Sequence, residues 1–154
     1  MKTKYLLILI FGMLFVTCNQ KEKKNLSDYM VGNWETTYLK IKMPTVNKTD
    51  STSVFEDNFT NPNAGRAQSS YKKDGTFSAW FKQPNGKKVD ETNGKWKTKN
   101  DSLFINYIYL GKQVKAWYKI KQLKNGFKGT SISDWDNDGK FDDTLIMKTK
   151  KIKL

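Results

Sequence analysis

Nine short runs rich in aromatic and β-branched residues, about ten residues apart and divided by turn signals, predict an all-β chain. The arrangement they imply is an antiparallel up-and-down meander of eight to nine strands closing into a barrel. Two further observations support it. Phe77, Ala79 and Phe81 alternate onto one face of their run, and Val114, Ala116, Tyr118 and Ile120 onto one face of theirs. No stretch beyond Trp34 shows sustained helical periodicity. A sheet this long curls or closes, which also removes edges that invite aggregation.

The elements follow in order. Asp28 to Val31 suits one helical turn leading into Gly32-Asn33-Trp34. The first strand runs from Trp34 to Met43 and is stopped by Pro44, which has no N–H to donate. Ser51 to Phe59 is a second strand, followed by the Asn61-Pro62-Asn63-Ala64-Gly65 loop. Ala67 to Lys72 and Thr76 to Gln83 flank the turn Lys73-Asp74-Gly75. Pro84-Asn85-Gly86 is a hairpin signal, because Asn-Gly tolerates the positive φ of a tight turn. Lys87 to Thr98 follows, with a break expected near Asn93-Gly94. Asn100-Asp101 leads into Leu103 to Leu110, and Gly111-Lys112 into Val114 to Leu123. Lys124-Asn125-Gly126 opens Phe127 to Ser133, and the last strand spans about Thr144 to Ile152.

The N-terminus carries a different signal. Lys2 and Lys4 precede an apolar run from Tyr5 to Val16, too short for the roughly 20 residues of a membrane-spanning helix and suited to a removable leader. Phe15-Val16-Thr17-Cys18 resembles the lipobox of lipoproteins cut by signal peptidase II, whose cysteine is lipid-modified and becomes the new N-terminus. The looser boxes of Bacteroidetes lipoproteins accept Phe and Thr at these positions. Residues 1–17 then form a lipoprotein signal peptide, Cys18 the lipid anchor, 18–27 a polar tether and 28–154 the barrel domain. The resemblance implies export and lipid anchoring to the outer membrane, on its periplasmic or cell-surface side. The alternative is an ordinary secretory signal that leaves Cys18 as a free thiol.

Composition narrows the chemistry. Cys18 is the only cysteine and there is no histidine, so disulfides, thiolate metal sites and Ser-His, Cys-His or His-zinc catalysis are all absent. Carboxylate or Lys/Tyr chemistry is what remains. Glu35, Asp57, Asp90 and Glu91 supply carboxylates for a glycosidase or lyase alternative, but their pattern proposes no working pair, so no enzyme is expected. The chain carries a formal net charge of +13, and Arg66 is its sole arginine. A lysine-dominated surface suits anionic lipid, polysaccharide or an acidic partner; nucleic-acid binding, which favours arginine, is not expected.

One motif carries its own chemistry. Asp134-Trp135-Asp136-Asn137-Asp138-Gly139-Lys140-Phe141-Asp142 reads D-x-D-x-D-G-x-x-D. Alternating aspartates on a turning loop converge oxygen ligands on a hard cation such as Ca²⁺, with the Lys140 carbonyl and Asp142 completing the set. It resembles the nine-residue calcium loops between strands of integrin β-propeller repeats. On that reading Trp135 and Phe141 pin the loop to the sheet, and the Ca²⁺ is structural. The competing reading is an acidic hairpin whose Asp and Asn side chains cap their own turns. Five of the 15 acidic residues fall within ten positions here, a crowding that favours a cation.

Gly32-Asn33-Trp34 resembles the G-x-W element of lipocalins. Asp74-Gly75-Thr76-Phe77, Gly94-Lys95-Trp96 and Asp101-Ser102-Leu103 then follow in the order of small lipocalin-like lipoproteins of Bacteroidetes. Lipocalins usually lay a late-strand arginine on the G-x-W tryptophan; no arginine follows Arg66 here. The resemblance implies a lipocalin-like barrel, non-enzymatic, holding a small apolar or amphipathic ligand. Tyr38, Trp80, Tyr107, Tyr109, Trp117 and Tyr118 are the candidate lining residues. Filling a solid core, or belting the outside, is the other role open to these aromatics. A second possibility is an accessory subunit of an outer-membrane or cell-surface complex, docking through the basic face or the aromatic strands.

Overall fold

The computed structural model describes residues 25–44, 51–109 and 111–153. The leader, Cys18 and the tether up to residue 24 lie outside the described residues. Among the described residues there is one helix, α1 (Leu26–Met30), and nine strands. These are β1 (Gly32–Met43), β2 (Ser53–Asp57), β3 (Arg66–Tyr71), β4 (Thr76–Lys82) and β5 (Lys88–Lys99). The rest are β6 (Ser102–Tyr109), β7 (Lys112–Gln122), β8 (Gly126–Ser133) and β9 (Asp143–Ile152). Helix α1 begins at Leu26, two residues ahead of the expected start of the domain, because the Asn25 side chain accepts the Ser27 N–H at 2.9 Å and caps it.

All pairings are antiparallel, and β3 to β9 follow one another as a meander. Closure comes from β1. One edge pairs with β9 from Asn33 to Lys42, and the other with β3 over Gly32–Glu35. Beyond Glu35, β3 parts from β1, and β2 takes the vacated edge over Leu39–Met43. The result is a closed eight-stranded barrel with β2 as one extra strand.

Two irregularities re-aim side chains. Between Thr36 and Tyr38 the register with β9 shifts by a bulge. Trp34 therefore faces inward before it, while Leu39 and Ile41 pack on the core after it. A second shift sets Trp80 of β4 against two residues of β5, where Asp90 adopts a φ of 52°. The break expected at Asn93-Gly94 does not occur; β5 is continuous. Gly94 is required there for another reason, since a Cβ would stand 2.2 Å from the Asn106 carbonyl oxygen and 2.6 Å from Tyr107 Cβ.

Helix α1 plugs one end of the barrel. Leu26 and Met30 are buried in the core, and the Trp34 indole N–H donates to the Met30 carbonyl at 2.8 Å. The Tyr29 hydroxyl donates to the Leu123 carbonyl at 2.9 Å and also meets that of Gly126, tying the helix to the β7–β8 turn. Trp34, 1 % exposed, meets Phe127 edge-on at 5.0 Å. A lysine takes the late-strand position over this tryptophan. Lys151 of β9 crosses Gly32, lies 5.1 Å from the Trp34 ring and donates to the Val31 carbonyl at 2.9 Å. Gly32 makes this crossing possible: its φ is +130°, and a Cβ would stand 2.8 Å from Lys151 Cε.

Candidate functional site

A space within the barrel opens toward the end away from α1. A cavity of about 290 Å³ is bordered from the inner face by Tyr71, Phe77, Ile105, Tyr107, Tyr118 and Met147, with Tyr109 and Phe81 toward the outside. Alternation explains the set: Ile105 and Tyr107 of β6 pair in register with Ala116 and Val114 of β7, and Tyr71 of β3 with Phe77 of β4. Edge contacts hold the rings, with Phe77 and Tyr107 at 5.4 Å and Tyr71 and Phe77 at 5.0 Å. A larger hollow of about 580 Å³ beside α1 is lined mostly by polar groups such as Asn25, Thr98, Asn100 and Asp101, and lies outside the barrel interior.

Apart from Asp90 at its rim, the cavity is lined by neutral side chains, apolar or hydroxyl-bearing for the most part. Burial pushes the Tyr71 hydroxyl well up, tempered by a hydrogen bond with Ser69. Burial raises Tyr118 too, helped by the neighbouring Tyr107 and Tyr71 hydroxyls, and raises Tyr107. All three stay protonated, so each offers a neutral O–H in an aromatic wall. Thr36, Ser69 and Thr92 add small hydroxyls, and Asp90 stands exposed at the rim.

Of the six expected lining residues, Tyr107, Tyr109 and Tyr118 border this space from inside, and Trp80 borders it at the wall. Trp80 pairs with Gln68, on the opposite parity from Ala79 and Ser69, and joins a polar line across the outer face. Its indole N–H donates to Gln68 Oε1 at 3.0 Å, Gln68 Nε2 donates to Glu35 at 2.7 Å, and Lys150 pairs with Glu35 at 2.9 Å. Lys88 Nζ sits 3.8 Å over the Trp80 ring. Burial would raise the Glu35 carboxyl, but the Lys150 and Gln68 hydrogen bonds outweigh it and hold the group below its ordinary value. Both Glu35 oxygens are thereby engaged.

Tyr38 and Trp117 do not line the cavity. The bulge after Thr36 turns Tyr38 outward, where its hydroxyl donates to Glu56 of β2 at 2.8 Å and Lys148 covers its ring at 5.0 Å. Lys40 pairs with the same Glu56 at 2.9 Å, so this outward cluster fastens the extra strand. Trp117 lies between Ala116 and Tyr118, both buried, and is itself 44 % exposed on the outer face. Alternation alone excluded it from sharing a lining with Tyr118.

The β8–β9 loop brings Asp134, Asp136 and Asp138 together, with one oxygen from each within 4.8 Å of the others. Gly139 at φ +92° and Asn137 at +62° make the turn. The loop also uses these carboxylates itself. Asp138 N–H donates to Asp134 Oδ1 and to Asp136 Oδ1, both at 3.0 Å, Gly139 N–H to Asp134 Oδ2 at 3.1 Å, and Lys140 N–H to Asp138 at 2.7 Å. Asp136 Oδ2 is buried without a protein partner. Its carboxyl is pushed up, first by burial and then by Asp143, Asp138 and Asp134.

Lys140 and Asp142 are exposed, and Asp142 is not one of the converging three. Of the two expected pins, Trp135 packs against the core, but Phe141 is 77 % exposed and pins nothing. The residue that secures the loop is Asp143, 1 % exposed, whose Oδ2 accepts the N–H groups of Trp135 at 2.6 Å and Asp136 at 3.2 Å. Its signal was available: Asp143 shares inward parity with Leu145, Met147 and Thr149, and a buried carboxylate needs donors. No family model matches the chain, and comparison with curated proteins finds no match either.

Proposed function

We propose that the protein is a non-enzymatic binding lipoprotein whose barrel holds a small, amphipathic ligand at its open end. The observation that supports this reading most is the tyrosine-lined cavity of about 290 Å³, close to the lower bound of about 300 Å³ for ligand sites. A ligand that fits is flat and mainly apolar, with one or two hydrogen-bonding atoms for the tyrosine hydroxyls. Attachment at Cys18 would hold the barrel at the outer membrane, as the leader suggests. Mass spectrometry of the full chain extracted intact from its membrane tests both parts. Acylated Cys18 and a retained small molecule are expected. An unmodified thiol refutes the anchor; the absence of any retained or exchangeable amphipath refutes the carrier, as does probe binding that Ala79→Phe leaves unchanged.

The acidic loop is read as a structural Ca²⁺ site of Asp134, Asp136 and Asp138, with its affinity in the range of about 10⁻⁴–10⁻³ M used by extracellular modules. The unpartnered, crowded Asp136 oxygen supports this. Melting is expected to shift upward with millimolar Ca²⁺ and downward with chelator. Identical curves would leave the loop a set of self-capping turns.

A further inference from the structure

The flank formed by β5, β6 and β7 carries a second feature that the cavity does not use. Three outward rungs cross these strands: Lys95–Asn106–Lys115, Lys97–Phe104–Trp117 and Lys99–Ser102–Lys119. Lysines thus form a row on β5 and another on β7, about 10 Å apart across two strand spacings. Between the rows the floor holds Asn106, Phe104 and Ser102. The Phe104 and Trp117 rings are packed at 5.0 Å, Lys97 covers Phe104 at 5.3 Å, and Trp117 stays 44 % exposed. Lys119 is neutralised by Asp101 at 2.6 Å, but no ion pair among the described residues holds Lys95, Lys97, Lys99 or Lys115.

We infer that this flank binds a linear anionic polysaccharide, with the chain running along β6. Trp117 supplies a face for a sugar ring, the β5 lysines on one side and Lys115 on the other meet carboxylate or sulfate groups, and the Asn106 amide N–H groups meet hydroxyls. Charge complementarity selects an anion, and the half-exposed Trp117 ring beside the lysines offers a flat face for a sugar. A nucleic-acid strand tracks a succession of separate stacking rings and arginine contacts. Here one tilted aromatic pair stands among lysines only.

The test uses the full chain in nonionic detergent, with alginate (a linear polymer of uronic acids) as the probe. Retention by alginate that weakens with salt is expected, with no retention by neutral dextran. Trp117→Ala, which leaves the charge unchanged, is expected to weaken binding about tenfold, and Trp117→Phe to restore most of it. Lys97→Gln with Lys115→Gln is expected to lower the salt dependence. Melting curves of each variant, expected to stay cooperative with at most a small shift from the lost Phe104 contacts, separate lost binding from lost folding. Absence of alginate binding at low salt overturns the proposal, as does a folded Trp117→Ala chain that binds as before. Equal or tighter binding of oligothymidylate, or of micelles carrying phosphatidylglycerol, also overturns it.

Discussion

The two ends of the barrel share strands and alternation, yet one is closed by a helix and the other opens onto a pocket. At the α1 end, Tyr29, Trp34 and Phe127 pack with centroids 5.0 to 5.6 Å apart, and Leu26 and Met30 from the helix fill what the strands leave. At the mouth no helix inserts among the described residues, and Tyr107 and Tyr109 border the space beside Phe81 and Met147. The difference teaches that an eight-stranded wall does not decide its own filling. Five residues of helix close one end over the core that the strands share. Core filling is what the aromatics at the α1 end do, and lining a ligand space is the role proposed for those toward the open end.

The comparison is broken most severely at the plug. Trp34→Ala removes the ring on which α1, Phe127 and Lys151 all rest, and is expected to cost about 3–5 kcal/mol in denaturant unfolding. Tyr109→Ala at the mouth, where the side chain is 55 % exposed, is expected to change stability by no more than about 0.5 kcal/mol. Equal losses at the two sites would mean that the mouth is as well packed as the plug.

Between these extremes stands Asp143, a carboxylate at the mouth buried as deeply as Trp34. Asp143→Ala leaves the Trp135 and Asp136 N–H groups without their acceptor, and is expected to cost about 1–3 kcal/mol. Hydrogen exchange should then quicken at those two amides first, while the amides of α1 keep their protection.

The smallest effect is electrostatic. Glu35 has a folded-state value below its ordinary 4.5, so the stability it contributes is complete above that value and is lost as the pH falls through the lower one. Glu35→Gln is expected to flatten the stability profile between about pH 5 and the acid end, with little change at neutral pH. A slope unchanged in that window would remove the Lys150–Glu35–Gln68 line from the acid response.

Much of this architecture was legible because strand period and turn chemistry are local. Asn85-Gly86, Asn125-Gly126 and the Phe77/Ala79/Phe81 alternation each report on a few neighbouring residues, and the meander follows from reading them in order. The converging aspartates were legible for the same reason, since Asp134, Asp136 and Asp138 lie on one short turn. The face of Tyr38 was not, because a single bulge, set by pairing with a strand more than a hundred residues away, reverses it. Phe141 and Asp143 exchanged their expected weight likewise: one apolar ring stays in solvent, and one carboxylate is buried as the loop's anchor.

The sequence by itself determined the strands, their antiparallel order, the acidic loop, and the absence of thiol and imidazole chemistry from residues 25–153. Only the tertiary structure decided where the barrel is filled, that Lys151 crosses Gly32 to cover Trp34, and that Phe104 and Trp117 share a flank with two lysine rows. Periodicity fixes which side chains share a face of one strand. Which faces meet, and how much space is left between them, depends on register and closure, and those are set by partners distant in the chain.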